Sequence, residues 1–267
     1  MGLDGFVWFT GVVEDRNDPS QLGRVKVRCL GYHTEDLNDI PTKDLPWAHV
    51  MHPVTDPSMQ GMGSSPSFLL EGSWVVGFFR DSREKQQPVI MGTLPGYPQE
   101  VADTTKGFND PNGTYPSSEI THSEHSTNES DVNRLARNET DKAHSVVANK
   151  NDSITENVAI ANVDTTWTEP SSAYAATYPK NHVFESESGH IKEIDDTTDN
   201  ERIHEYHTAG TFYEIDKDGN KSTRVVGSNY EVVAGSNYVN VKGDVNLTID
   251  TNCNTYIKGD WNIQVDG

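Results

Sequence analysis

The sequence predicts an all-β chain: an N-terminal OB-fold barrel, a polar linker, and a C-terminal intertwined trimeric β-prism, that is, a triple-stranded β-helix. Three observations carry this. Apolar and polar residues alternate in five short runs before residue 98, a polar stretch without periodicity follows, and a strict eight-residue repeat fills the C-terminal part. The boundaries read as 1–116 for the barrel, 117–182 for the linker, 183–218 for a β-rich transition and 219–267 for the prism.

In the barrel, Gly23-Arg24-Val25-Lys26-Val27-Arg28-Cys29-Leu30 alternates basic and apolar residues, the pattern of a half-buried antiparallel strand. Phe6 to Val13, Pro46 to Met51, Gly72 to Arg80 and Pro88 to Leu94 are the other expected strands, separated by turn-rich segments such as Asn17-Asp18-Pro19-Ser20. Five strands in about ninety residues predict a small closed barrel, with the OB-fold ahead of an SH3-like barrel. Gly61-Met62-Gly63 lacks a βαβ context for dinucleotide binding and reads as a flexible barrel loop open to a docking contact.

Residues 117 to 178 are dominated by Ser, Thr, Asn, Asp, Glu and Ala. Such a stretch buries too little apolar surface to offset its ordering entropy, so it reads as an extended linker lying along another surface, with Trp167 and Tyr174 as anchors. Alternation returns from Val183, with turns at Ser188-Gly189, Ala209-Gly210 and Asp218-Gly219.

Glycine stands at Gly219, Gly227, Gly235, Gly243, Gly259 and Gly267, every eighth residue, with Thr251 in the one vacant slot. Two residues before each corner from Gly227 onward stands Val225, Val233, Val241, Ile249, Ile257 or Val265. Each octad predicts about six strand residues and a corner, glycine being expected for the positive φ of a sharp bend. Residues two and four before a corner share a face. This makes Val233, Val239, Val241, Leu247, Ile249, Ile257, Ile263 and Val265 the expected core, with Gly227, Gly235, Gly243, Gly259 and Gly267 as corners. Asn240, Asn246, Thr248, Asn262 and Gln264 form the wet face. One chain closing a three-sided prism completes only two turns in six octads, whereas arrays need about three stacked units. Three identical chains give a continuous column, so the repeat predicts a homotrimer; a surface β-meander is the alternative.

Composition narrows the function. The chain has 267 residues, is 33% hydrophobic and carries a formal net charge of -20. Such a field repels nucleic acid and anionic membranes and keeps an elongated assembly soluble. Arg24, Lys26, Arg28 and Trp8 suit an OB-type nucleic-acid face, but the overall acidity argues against one and for docking to an acidic protein surface. Cys29 and Cys253 fall in separate regions and imply no disulfide framework. No signal peptide and no apolar run of membrane-spanning length stand out. His204 and His207, three apart on a strand, point to opposite faces and make a poor chelate within one chain, although a three-fold axis could gather three copies of one; solvent-facing or inter-chain hydrogen-bonding histidines are the expected reading. Asp216-Lys217-Asp218-Gly219-Asn220 starts like a calcium loop but has no closing Glu, and reads as a tight turn. The sequence thus implies no cofactor, metal or catalytic residue.

Trp8-Phe9-Thr10-Gly11-Val12-Val13-Glu14-Asp15-Arg16, the Asp18-Pro19 turn, Leu22 to Arg28, Ile40-Pro41-Thr42 and Leu45-Pro46-Trp47 carry a resemblance. So do Glu71 to Phe79, Pro88 to Thr93 and Gly107-Phe108-Asn109-Asp110-Pro111-Asn112-Gly113-Thr114-Tyr115-Pro116. Together with the octads, these segments resemble the cell-puncturing baseplate spikes of T-even-like phages. The same two-part architecture resembles the valine-glycine repeat spikes of type VI secretion and the spikes of contractile bacteriocins. The resemblance implies a central spike in the virion tail baseplate, assembled in the host cytoplasm, docked through OB domains on a tail hub protein and aimed at the bacterial envelope. The T-even spike holds a lysozyme domain where this chain has its linker. Glu119, Glu129 and Asp131 stand there without an apolar core to keep a carboxylic acid protonated, so no muramidase is expected. An envelope-glycan-binding fibre or a cell-wall-degrading spike is the alternative function. The sequence stops at Gly267 with Trp261, Ile263 and Val265 in its last octad. A bare prism end predicts a small spike-tip protein seated around Trp261, resembling the conical Pro-Ala-Ala-Arg repeat caps, unless the needle is shortened.

Overall fold

β-branched and aromatic residues at alternate positions make β1 (Trp8–Asp15) and β2 (Val25–Cys29) strands, and they pair antiparallel with Gly11 opposite Cys29 and Val13 opposite Val27. β3 (Trp47–Val50), β4 (Trp74–Phe79) and β5 (Pro88–Thr93) complete a closed barrel of order β1-β2-β3-β5-β4. β3 and β5 run parallel and every other pair antiparallel. All five expected strands are present, in the closed arrangement expected of the OB fold. The computed structural model describes residues 6–64, 67–100, 102–113, 130–140 and 155–266. Phe9, Val13, Val25, Val27, Cys29, Ala48, Leu69, Val75, Phe79 and Ile90 fill the barrel. Burial pushes the Cys29 thiol up to about 12.

The outer face of β2 is not wet, as its alternation implies, but covered. Arg28 is fully buried; its guanidinium donates Nε to Glu14 Oε1 at 2.6 Å and Nη1 to the Thr34 carbonyl at 2.6 Å, while Nη2 reaches the Ile40 carbonyl at 2.8 Å. Glu14 also accepts the Phe108 amide at 2.7 Å and the Thr42 hydroxyl at 2.8 Å. This ion pair clamps two loops onto the barrel. Gly107 is required there, because a Cβ would sit 2.2 Å from Arg28 Nε.

The second body is a five-stranded antiparallel meander, β8 (Asn181–Glu185), β9 (Ile191–Asp195), β10 (Arg202–Tyr206), β11 (Phe212–Ile215) and β12 (Lys221–Arg224), preceded by a hairpin of β6 (Val158–Ala159) and β7 (Thr166–Trp167). Its tight turns close on Gly189, Gly210 and Gly219, with φ of 85°, 95° and 81°, at the three turns expected. The octad beginning at Gly219 lies inside this sheet. Gly219 ends a hairpin turn and Lys221–Arg224 pairs with β11, so the unpaired run begins one octad later than the sequence places it.

The polar stretch 117–182 is more than a spacer where it is described; Glu119, Glu129 and residues 141–154 lie outside the described residues. A 3-10 turn at Leu135–Arg137 buries Leu135 against Ile191, Tyr206 and Phe212 on one face of the meander, with Tyr174 and Val183 alongside. The Tyr174 hydroxyl donates to the Leu135 carbonyl at 2.7 Å, making it an anchor, whereas Trp167 is largely exposed on β7. These residues have no core of their own and use the sheet's.

Candidate assembly surfaces

The covered face of the meander is unusually polar. Arg202 bridges Glu193 at 2.6 Å and Glu214 at 2.8 Å beneath the Tyr174 ring, and His204 Nδ1 lies 2.9 Å from Glu214 Oε2; all four side chains are buried. Glu214 also accepts the Ser172 hydroxyl at 2.6 Å and the Ala173 amide at 2.7 Å, so the stretch before β8 is tied to β11. Burial alone raises the Glu214 carboxyl. The hydrogen bonds from His204, Ser172 and Ala173, with the Arg202 charge, outweigh it and hold Glu214 at about 2. Every buried charge here has an opposite or a hydrogen-bonding partner, which makes this a structural clamp. His207, three residues from His204, lies on the other side with its ring tilted 51° against His190, centroids 4.5 Å apart. Among the described residues no three His, Cys, Asp or Glu side chains gather as a metal site. Asp216 accepts the Asp218 and Asn220 amides, each at 2.9 Å, in a hairpin turn.

The opposite face of the meander exposes Phe184, Ile194 and Ile203 among charged neighbours, and Tyr213 and Ile215 continue it. Alternation explains this, because β8–β11 carry apolar residues at both odd and even positions. Phe184 also meets Phe68 of the barrel, ring centroids 4.8 Å apart.

After β12 the chain runs extended with a bend at every octad corner, at Val226-Gly227, Ala234-Gly235, Lys242-Gly243, Asp250-Thr251 and Lys258-Gly259. The period continues through Thr251. Among the described residues, no backbone hydrogen bond joins 227–266 to itself or to the rest of the chain. All expected core positions, Val233, Val239, Val241, Leu247, Ile249, Ile257, Ile263 and Val265, are exposed within one chain, as is Trp261; Gly267 lies outside the described residues. Of the side chains two before a corner, Val233, Val241, Ile249 and Ile257 are 43–52% exposed and Val265, in the last octad, 83%, against 79% for Val239 and Leu247. The expected reason for the corner glycines is overturned, since none of Gly227, Gly235, Gly243 and Gly259 has a left-handed φ. A Cβ at any of them meets nothing within 4 Å in the chain itself.

The three cations of the barrel's basic strand are engaged internally. Arg24 pairs with Asp18 at 2.8 Å, Lys26 donates to the Lys43 carbonyl over the Trp47 ring, and Arg28 holds Glu14. The charged strand, read from sequence as a solvent face, is part of the barrel's own scaffold.

Known proteins match both bodies. The family model for the Gp5 N-terminal OB domain matches residues 31–207. Protein Gp5 of Vibrio phage KVP40 is 40% identical over an alignment of 285 residues, covering 96% of this chain and 66% of that protein. The pre-baseplate central spike protein Gp5 of Enterobacteria phage T4 is 44% identical over 114 residues, covering 41% of this chain and 20% of that protein. The chain thus spans just under two thirds of the first relative's length and about a fifth of the second's. With a closed barrel of the expected order and a family match over more than half its residues, the chain belongs to the Gp5 family, marked by its N-terminal OB domain.

Proposed function

We propose that the chain is a structural central spike of a contractile tail baseplate, working as a homotrimer whose octads form a shared β-prism that pierces the bacterial envelope. One observation carries this reading: residues 227–266 keep an octad bend and strand-like extension with no backbone–backbone hydrogen bond among the described residues. Extended backbone without ladder partners, lined by exposed Val, Leu and Ile, is stable only when other strands supply both hydrogen bonds and apolar cover. Empty space beside the corner glycines supports close approach by neighbouring chains. The open apolar face of the meander gives the same three copies a surface to bury.

The name of the T4 relative supports placement in the baseplate of a virion tail; assembly in the host cytoplasm belongs to the same proposal. The partners of this reading are two further copies, a tail hub protein at the barrel and a small spike-tip protein touching Trp261. The internal engagement of Arg24, Lys26 and Arg28 supports a role without nucleic acid. The spike acts mechanically, without catalysis or cofactor. Asp131, the one described acid of the three singled out, accepts the Gly96 amide at 2.7 Å beside an open cleft, which supports a structural part for it. Multi-angle light scattering on the full chain tests the reading: a mass three times 29.6 kDa is expected, and a folded monomer or dimer overturns it.

A further inference from the structure

The barrel's longest loop, between β3 and β4, departs from the rest of the surface. In a chain that is 23% charged, His52 and Asp56 are the only ionisable side chains between Met51 and Leu70, and they pair with each other at 3.0 Å. The sequence reads Gly61-Met62-Gly63 as flexible; the structure pins it. Asp56 accepts the Ser58 amide and the Ser64 amide, each at 2.9 Å, and the Ser58 hydroxyl at 3.2 Å, tying both ends of the tip to one carboxylate. Met59 and Met62 exchange two backbone hydrogen bonds, of 3.3 and 2.9 Å, across Gln60 and Gly61, whose φ values of 50° and 79° suit a two-residue hairpin turn. Gly63, with φ of 114°, is obligatory, because a Cβ would fall 2.1 Å from Asp56 Oδ1.

This preorganised turn, with no ionisable side chain from Pro57 to Ser64, holds Met59 and Met62 56% and 57% exposed, and Val54 on the approach to it is fully exposed. A fixed turn spares the backbone the ordering entropy of binding, and its flexible thioethers mould to an apolar partner. We infer that the Val54–Gly63 hairpin is a docking plug whose Met59 and Met62 side chains enter an uncharged apolar pocket on a partner protein. The plug's one ionisable group, Asp56, is an acid whose side chain is 1% exposed, so the plug offers no cation to a phosphate backbone or an acidic surface. The inference rests on the spike reading above for the partner, which is the tail hub protein against which the barrel docks.

The test measures binding of purified hub protein to the full chain by interferometry, alongside thermal melting. The Met59→Ser/Met62→Ser double variant is expected to melt like the parent and to bind at least about tenfold more weakly. Met91→Ser, which alters an exposed methionine on β5, is expected to bind like the parent. Gly63→Val, which keeps both thioethers but displaces the turn, is expected to weaken binding too. Undiminished hub binding by the double variant overturns the plug and leaves the spike reading standing. Failure of the parent chain to bind hub overturns both. Binding of neutral phosphatidylcholine vesicles that the double variant loses, with hub binding retained, assigns the loop to lipid and also overturns the plug.

Discussion

Val241→Asp discriminates the two faces of the octad strand. Val241 is 52% exposed within its own chain, so about half of its side-chain burial, roughly 1 kcal/mol of the about 1.5–3 kcal/mol for a fully buried side chain, is gained only on association. The substitution forfeits that and forces a carboxylate out of water, costing several kcal/mol per ion, three times over at one level of the column. A loss of several kcal/mol per chain is expected, enough to dissociate the prism at micromolar concentration. Asn240→Asp, one residue away on the wet face, adds the same charge and is expected to change stability by no more than about 0.5 kcal/mol. Light scattering and thermal melting of the two variants give the answer. Equal behaviour of the two variants, or a larger loss in Asn240→Asp, refutes the inward assignment of Val241.

The two buried clamps make separate predictions. Arg28→Leu strands Glu14 inside the barrel wall and is expected to destabilise the barrel by about 3–5 kcal/mol in denaturant titration. Glu214 is held at about 2, below its ordinary 4.5, so its contribution to stability is present above pH 4.5 and disappears as pH falls through 2. Melting temperature followed from pH 5 to pH 2 is expected to fall in the parent and to flatten in Glu214→Gln, which starts lower. Turbidity of a peptidoglycan suspension is expected to stay level with the purified chain; clearing above buffer contradicts a purely mechanical spike.

The barrel and the octads were legible because their signals are local. Alternation in Trp8–Asp15 and Val25–Cys29 and the spacing from Gly227 to Gly259 each lie within one strand or one repeat. The clamps were not legible, because their partners are far apart in sequence. Ala173 meets Glu214 across 41 residues and Phe108 meets Glu14 across 94, so the polar stretch before β8 and the basic strand β2 gave no sign of being buried. The octad beginning at Gly219 was misplaced for a related reason. Lys221–Arg224 keeps the octad spacing but finds β11 next to it, and local strand pairing wins over the repeat. The corner glycines were found for a reason that does not hold. Their backbone is ordinary, and what sets them apart is the missing side chain.

Hydrogen–deuterium exchange across residues 227–266 of the assembled particle tests the central claim most directly, since these amides have no backbone partner among the described residues of one chain. Intertwined octads predict strong protection in each six-residue run between bends, lost together with the three-chain mass on dissociation. Exchange at the rate of an unstructured peptide in the assembled protein, or protection that persists in an isolated chain, contradicts a prism built from three copies.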